Sequence, residues 1–155
     1  MDEFAMTYFD WISQNGPWQY LVTQTFPRSK PLGAHSIDRC VRQLIHRINL
    51  ARYGRSFTKP HNRSNRGVPR AIVHEYHENG IDIHIHALLR DLPESVIQKV
   101  LREWTFSKLH DFTSILPGTQ RDTIGYCLKR VHANMEHPPV IDGNLVPYSL
   151  GQSCS

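Results

Sequence analysis

The segment from Arg70 to Arg90 constrains the fold more than any other. "RAIVHEYH" (70–77) and "IDIHIHALLR" (81–90) are rich in β-branched residues, and between them stands "ENG", whose Asn79-Gly80 pair is the strongest short-range signal for a tight reversal. Two strands joined in this way pair antiparallel, so the chain is expected to be built on a hairpin. In its second strand, His84 and His86 alternate with Ile83, Ile85 and Ala87. Strand side chains alternate faces, so the apolar set points toward a helix layer. The two imidazoles share the other face, roughly 6 to 7 Å apart along the strand.

The surrounding pattern supplies the remaining elements. "WQYLVTQTF" (18–26) reads as a strand ended by Pro27, which cannot continue a ladder. Residues 3–13 suit a short amphipathic helix through Phe4, Tyr8 and Trp11, although their aromatic content leaves a strand open. Ser36 suits an N-cap for a helix carrying Ile37, Val41, Leu44, Ile45 and Ile48, with Gly54 as its stop. Pro93 and Glu94 open another helix, with Val96, Ile97, Val100, Leu101 and Trp104 on its stripe, and "FTSILP" (112–117) suits a further strand. A last helix is expected from Asp122 to Asn134. Residues 53–69 read as a mobile basic loop, and 136–155 as a Pro-rich tail or linker. The expected class is α+β, one domain over residues 1–135 with a central antiparallel sheet of about five strands.

Composition narrows the function classes. The 155 residues, 39% of them apolar, suffice for one core. No run of about 18 apolar residues and no basic-then-apolar start is present, so a soluble, intracellular protein without a membrane partner is expected. Cys40, Cys127 and Cys154 are scattered, without a CxxC pair, which suggests reduced thiols. The net charge of +4 is unevenly distributed. Between Asp38 and Glu75 there is no acidic residue, while Arg39, Arg42, Arg47, Arg52, Arg55, Lys59, Arg63, Arg66 and Arg70 accumulate. Such a run suits a phosphate backbone, and Tyr53, Phe57 and His61 could stack on bases.

Two stretches carry chemistry. Two imidazoles on one strand face can reach one divalent ion, and the hairpin partner offers a third ligand in Glu75, with Glu78 as the alternative and Asp82 close by. Two histidines and a carboxylate leave positions open, as a catalytic ion requires. The second stretch is "DTIGYCLKR" (122–130). On a helical wheel Ile124, Cys127, Leu128 and Val131 share one face, while Tyr126 and Lys129 fall together on the opposite side. A phenol is a weak nucleophile unless a cation or metal site assists it, and Lys129 is spaced to do so.

The combination resembles the HUH endonucleases of the replication-initiator (Rep) type. Their His-hydrophobic-His motif is matched by "HIH" (84–86), their YxxK motif by "YCLK" (126–129), and their first strand of hydrophobics and threonines by "YLVTQTF". The acidic ligand position falls on Glu75, or on Glu78 if the register is shifted. The resemblance spans residues 18–135, and its specificity lies in the combination of motifs. It implies a ferredoxin-like or RRM-like fold with helices on one main face and a metal on the exposed sheet face. His84, His86 and Glu75 would hold Mn²⁺ or Mg²⁺, Tyr126 would attack a phosphate to form a 5′-phosphotyrosine, and Lys129 would orient the phenol or offset charge.

The implied substrate is single-stranded DNA, next to a hairpin at a replication origin, gripped by Arg52, Arg55, Lys59, Arg63, Arg66, Arg70 and Arg130. No GxxxxGK[ST] occurs, so a helicase would lie in another protein or in a further C-terminal part, alongside host replication proteins. The expected compartment is the cytoplasm for a bacterial or plasmid protein, and the host nucleus for a virus of eukaryotes. A single-tyrosine HUH transposase has the same chemistry, but the 40 residues from His86 to Tyr126 and the lysine after the tyrosine fit the initiator pattern better. A non-catalytic basic nucleic-acid-binding module is the alternative that needs none of His84, His86 and Tyr126.

Overall fold

Antiparallel pairing organises the chain. The computed structural model describes residues 1–26, 34–59, 67–76, 83–104, 109–135 and 138–142. In chain order these form α1 (Glu3–Gln14), β1 (Tyr20–Thr25), α2 (Ala34–Tyr53), β2 (Arg70–Tyr76), β3 (Ile83–Leu89), α3 (Glu94–Arg102), β4 (Leu109–Ser114), α4 (Gln120–Leu128) and the three-residue β5 (Val140–Asp142). Strand β1 pairs antiparallel with β3 and β4, and β2 pairs antiparallel with β3, in the order β4-β1-β3-β2, with β5 adding to the β2 edge. The architecture is α+β. Among the described residues no helix is long and apolar enough to cross a membrane.

The alternation of the strands sends apolar side chains to both faces. Val22, Ile72, Ile83, Ile85, Ala87 and Leu89 pack with Ile37, Val41, Leu44, Ile45 and Ile48 of α2 and Ile97, Val100 and Leu101 of α3. The opposite face presents Ala71, Val73 and Leu88, which pack with Ala5, Phe9 and Ile12 of α1, Trp18, and Ile124, Cys127 and Leu128 of α4. This corrects the expectation of helices on one main face. The histidine face is covered too, because α1 and α4 each carry an apolar stripe that has nowhere else to be buried.

A polar tie fixes α4 over that face. The Gln120 amide accepts from Trp18 N at 2.9 Å and donates to Trp18 O at 2.6 Å, so the first residue of α4 is held to the chain entering β1. The Trp18 indole N–H in turn donates to Ile12 O of α1 at 2.9 Å. Residues far apart in sequence are thereby locked into one layer.

Several boundaries differ from expectation. Helix α2 starts at Ala34, so Ser36 is inside it and not its cap; alanine is a good helix former and extends the helix upstream. Gly54 does end it, with φ of 80° and its N–H on Leu50 O at 2.8 Å, a conformation that favours glycine. In α1 the buried residues are Ala5, Phe9 and Ile12, while Phe4, Tyr8 and Trp11 flank them, half-buried. Strand β4 begins at Leu109, earlier than the "FTSILP" reading. Helix α4 runs from Gln120 to Leu128 and not to Asn134, because Lys129 N and Val131 N bond three residues back, to Tyr126 O and Leu128 O.

The segment read as a mobile loop, 53–69, is structured at both described ends. Arg55–Thr58 forms a 3-10 turn, and Val68 is fully buried with its N–H on Asn49 Oδ1 at 2.8 Å. Gly67 has φ of 86°, and a Cβ there would meet the Asn49 amide at 2.5 Å. Residues 60–66, the "ENG" turn, and residues 143–155 of the Pro-rich tail lie outside the described residues.

Candidate active site

Strand register decides which side chains meet. Glu75 stands directly opposite His84, while on the other flank of β3 Thr23 stands opposite His86. Side chains two residues apart share a face, so Glu75, His84, His86 and Thr23 all lie on the face covered by α1 and α4. Among the described residues, Glu75 is therefore the carboxylate that the register sets beside the histidines. Glu78 and Asp82 lie outside the described residues.

His86 and Glu75 form a buried pair, with the two side chains 0% and 2% exposed. His86 Nε2 is 2.7 Å from Glu75 Oε2, and Nδ1 is 3.0 Å from Thr23 Oγ1. A carboxylate can only accept, so Nε2 carries the hydrogen and donates. Nδ1 is left with its lone pair and accepts from the Thr23 hydroxyl. Burial holds the His86 imidazole below its ordinary range, against the opposing pull of Glu75, so the ring is neutral at physiological pH. Burial alone would push Glu75 up, but the hydrogen bonds from His86 and Lys129 and the charge of Lys129 together bring it below the usual carboxylate range. Glu75 is thus ionised beside a neutral imidazole.

Helix α4 delivers the second half of the site. Ile124, Cys127 and Leu128, with Val131 beyond the helix, are buried, so Tyr126 points away from the core and is 50% exposed. Its ring centre is 5.4 Å from that of His86, edge to face. Lys129 Nζ stands 4.0 Å from the Tyr126 ring centre and 3.1 Å from Glu75 Oε1. Arg130 Nε is 3.3 Å from the same oxygen. Glu75 therefore gives one oxygen to His86 and the other to two cations. One carboxylate against two cations leaves the rim beside Tyr126 net positive, which suits an anion.

The structure brings together Glu75, His86, Tyr126, Lys129 and Arg130. His84 shares their face and is half-buried, but among the described residues no three His, Cys, Asp or Glu side chains converge as a metal-holding group. The described part of the basic stretch is not brought to this site. Arg52, Arg55 and Lys59 are exposed on α2 and just after it, and α2 covers the other face of the sheet. Arg70 is a correction: it is 9% exposed, donates from Nη1 to Val68 O at 3.2 Å, and lines a cavity of about 310 Å³ on the α2 side. Its even position in β2 turns it away from Glu75 and away from open phosphate contact. Arg63 and Arg66 lie outside the described residues.

Sequence reasoning missed two features. Thr23 is a direct partner of His86, and its signal was the Thr23–Thr25 alternation within "YLVTQTF", which gains meaning only from the register. Arg130, read as a DNA contact, is an ion-pair partner of Glu75.

No protein-family model, no curated protein and no solved structure matches the chain.

Proposed function

We propose that this protein is a divalent-metal-dependent nickase and strand transferase for single-stranded DNA, acting through a covalent link to Tyr126 in the manner of Rep-type HUH endonucleases. The observation that carries the reading is the placement of the exposed Tyr126 ring against buried His86 and beside Lys129, which is itself paired with Glu75. A presented phenol, a cation and a buried His–carboxylate pair are the parts of a phosphoryl-transfer site built around a protein nucleophile. The β-α-β-β-α-β succession from β1 to β4, with order β4-β1-β3-β2, supports the ferredoxin-like fold that the reading also requires.

The three donors that the reading requires, His84, His86 and Glu75, share one sheet face, and a divalent ion there would need them to draw together, because among the described residues no three such side chains converge. Mn²⁺ or Mg²⁺ held there would supply Lewis-acid polarisation of a phosphate oxygen, and imidazole ligation favours Mn²⁺.

The protein's own residues do the rest. Tyr126 Oη attacks the phosphorus in line; the bond to the 3′ oxygen breaks, that oxygen leaves as a 3′-hydroxyl, and the 5′ phosphate remains esterified to the tyrosine. Lys129 offsets negative charge at the reacting phosphate, and Arg130 adds to the positive rim. A phosphate in regular duplex cannot reach such a tyrosine, so the substrate is single-stranded or melted DNA, with a hairpin origin and a separate helicase as expected partners. Arg52, Arg55 and Lys59 contact the same strand only where it passes round a sheet edge.

The test is incubation with a labelled random-sequence single-stranded DNA pool and Mn²⁺, followed by denaturing electrophoresis. A covalent adduct that disappears in Tyr126→Phe, with DNA binding retained, is expected. Binding without any adduct would favour the non-catalytic module instead.

A further inference from the structure

The sheet face away from Tyr126 holds a cavity that the chemistry above does not use. It measures about 310 Å³ and lies between α2, Phe57 of the 3-10 turn, β2 and β5. Arg70, Ile72 and His74 share one face of β2, so all three line it, and Asn49 lines it from α2. Arg70, His74 and Asn49 are buried, at 9%, 5% and 4% exposure. Ile45, Ile72, Val140 and the Phe57 ring, itself stacked on Tyr53 at 5.6 Å, complete the walls.

This lining selects its occupant. A lone phosphate would give up its water to face mostly carbon, and an aliphatic group would cover three buried polar side chains without pairing them. A flat ring with polar edges suits both parts, its faces against the apolar walls and its edge toward guanidinium, imidazole and amide. The volume is at the low end of the range for ligand pockets, about 300 to 1,000 Å³, which fits one ring system and not a longer chain. The basic side chains Arg42 and His46 also line the cavity and are exposed; Asp38, the carboxylate beside them, is paired with Arg42 at 2.8 Å, and no further acidic residue occurs before Glu75. A ring that carries an anionic group is favoured there, and a nucleotide is such a ring. Strand β5 pairs with β2 only over Arg70–Ile72, so among the described residues the His74 end of β2 lies at the sheet edge. A strand engaged at Tyr126 would pass round that edge to this face.

We propose that the cavity between α2, β2 and β5 receives one unpaired base of the DNA strand, guanine in preference to adenine, with the Arg70 guanidinium against its edge. Guanine offers two adjacent acceptors, O6 and N7, which match the fork of a guanidinium, whereas adenine sets an N6 donor beside N7. The proposal rests on the single-stranded DNA reading given above and involves no metal. It concerns a base and not a phosphate, so it releases no counterion.

The experiment measures, in EDTA, the fluorescence anisotropy of labelled oligothymidine carrying one central dG or one central dA, with the full chain. The wild type should bind the dG strand about 10-fold more tightly. In Val140→Trp, which fills the cavity from its half-buried rim, and in Phe57→Ala, which removes the aromatic wall, the two affinities should become equal. The ratio is the readout because a general loss of structure weakens both strands alike. Free dGMP, titrated calorimetrically, should bind far more weakly than the dG strand; binding as tight as that strand would assign the cavity to a free nucleotide and overturn the proposal. Equal affinities in the wild type, or a preference that persists in folded Val140→Trp and Phe57→Ala, also overturns it. Should a Tyr126 adduct form where the wild type shows no dG preference, the cavity assignment falls and the strand-transfer reading stands. A wild type that binds neither strand overturns both.

Discussion

Replacing Glu75 with glutamine separates the charge of this side chain from its shape. The glutamine oxygen can still accept from His86 Nε2, but the amide nitrogen then faces Lys129 and Arg130, donor against donors. The His86 bond, in a fully buried pair, changes from a charge-assisted bond to a neutral one, a loss of about 1 to 1.5 kcal/mol. Lys129 and Arg130 are 39% and 34% exposed and can turn to water, so their lost ion pairs add no more than about 1 kcal/mol. The sum is about 2 kcal/mol, equivalent to a fall in Tm of roughly 4 to 8 °C for a chain of this size. Scanning calorimetry at neutral pH measures it. Excess Mn²⁺ should raise the Tm of the wild type through preferential binding to the folded state, and should not raise that of Glu75→Gln. A variant that melts within about 1 °C of the wild type and responds equally to Mn²⁺ would refute both the buried-pair energetics and the ligand role.

Three further outcomes follow from the same geometry. His86 is held below its ordinary 6.5 in the folded state, so the unfolded chain takes up that proton first; stability should decline as pH falls below 6.5, and again below 4.5 as Glu75, also lowered, is protonated. Urea midpoints at pH 7.5, 6, 5 and 4 check this, and a flat profile contradicts it. Lys129→Met should slow adduct formation about 100-fold at saturating DNA and Mn²⁺, measured in single turnover, while single-stranded DNA affinity changes little. Arg70→Met should lower thermal stability without altering the salt dependence of DNA binding, because its guanidinium is buried against Val68 O on the far sheet face; a lost counterion in the salt slope would show it contacts phosphate after all.

The parts legible in the sequence were those governed by local periodicity. The alternation of Ile83, Ile85 and Ala87 with His84 and His86 fixed which side of β3 meets α2 and α3, and the wheel of Ile124, Cys127 and Leu128 fixed which side of α4 presents Tyr126. Long-range packing was not legible. Nothing local announces that α1 and α4 close over the histidine face, because that depends on the Gln120–Trp18–Ile12 tie, formed across as many as 102 residues of separation. Charge runs also misled: Arg70 belongs to a basic stretch, yet its strand parity buries it. Glu75 could be named but not placed until the register put it opposite His84, and Thr23 acquired a role only once β1 was seen to lie beside β3.

The central claim, that Tyr126 is the nucleophile of a strand-transfer site, is tested most directly by locating the covalent bond. Trypsin should release residues 122–129, "DTIGYCLK", from an adduct formed with single-stranded DNA and Mn²⁺. Mass spectrometry after nuclease trimming should find that peptide carrying a nucleotide through its 5′ phosphate on Tyr126. A nucleotide on any other residue, or DNA that is bound and never joined, would contradict the account.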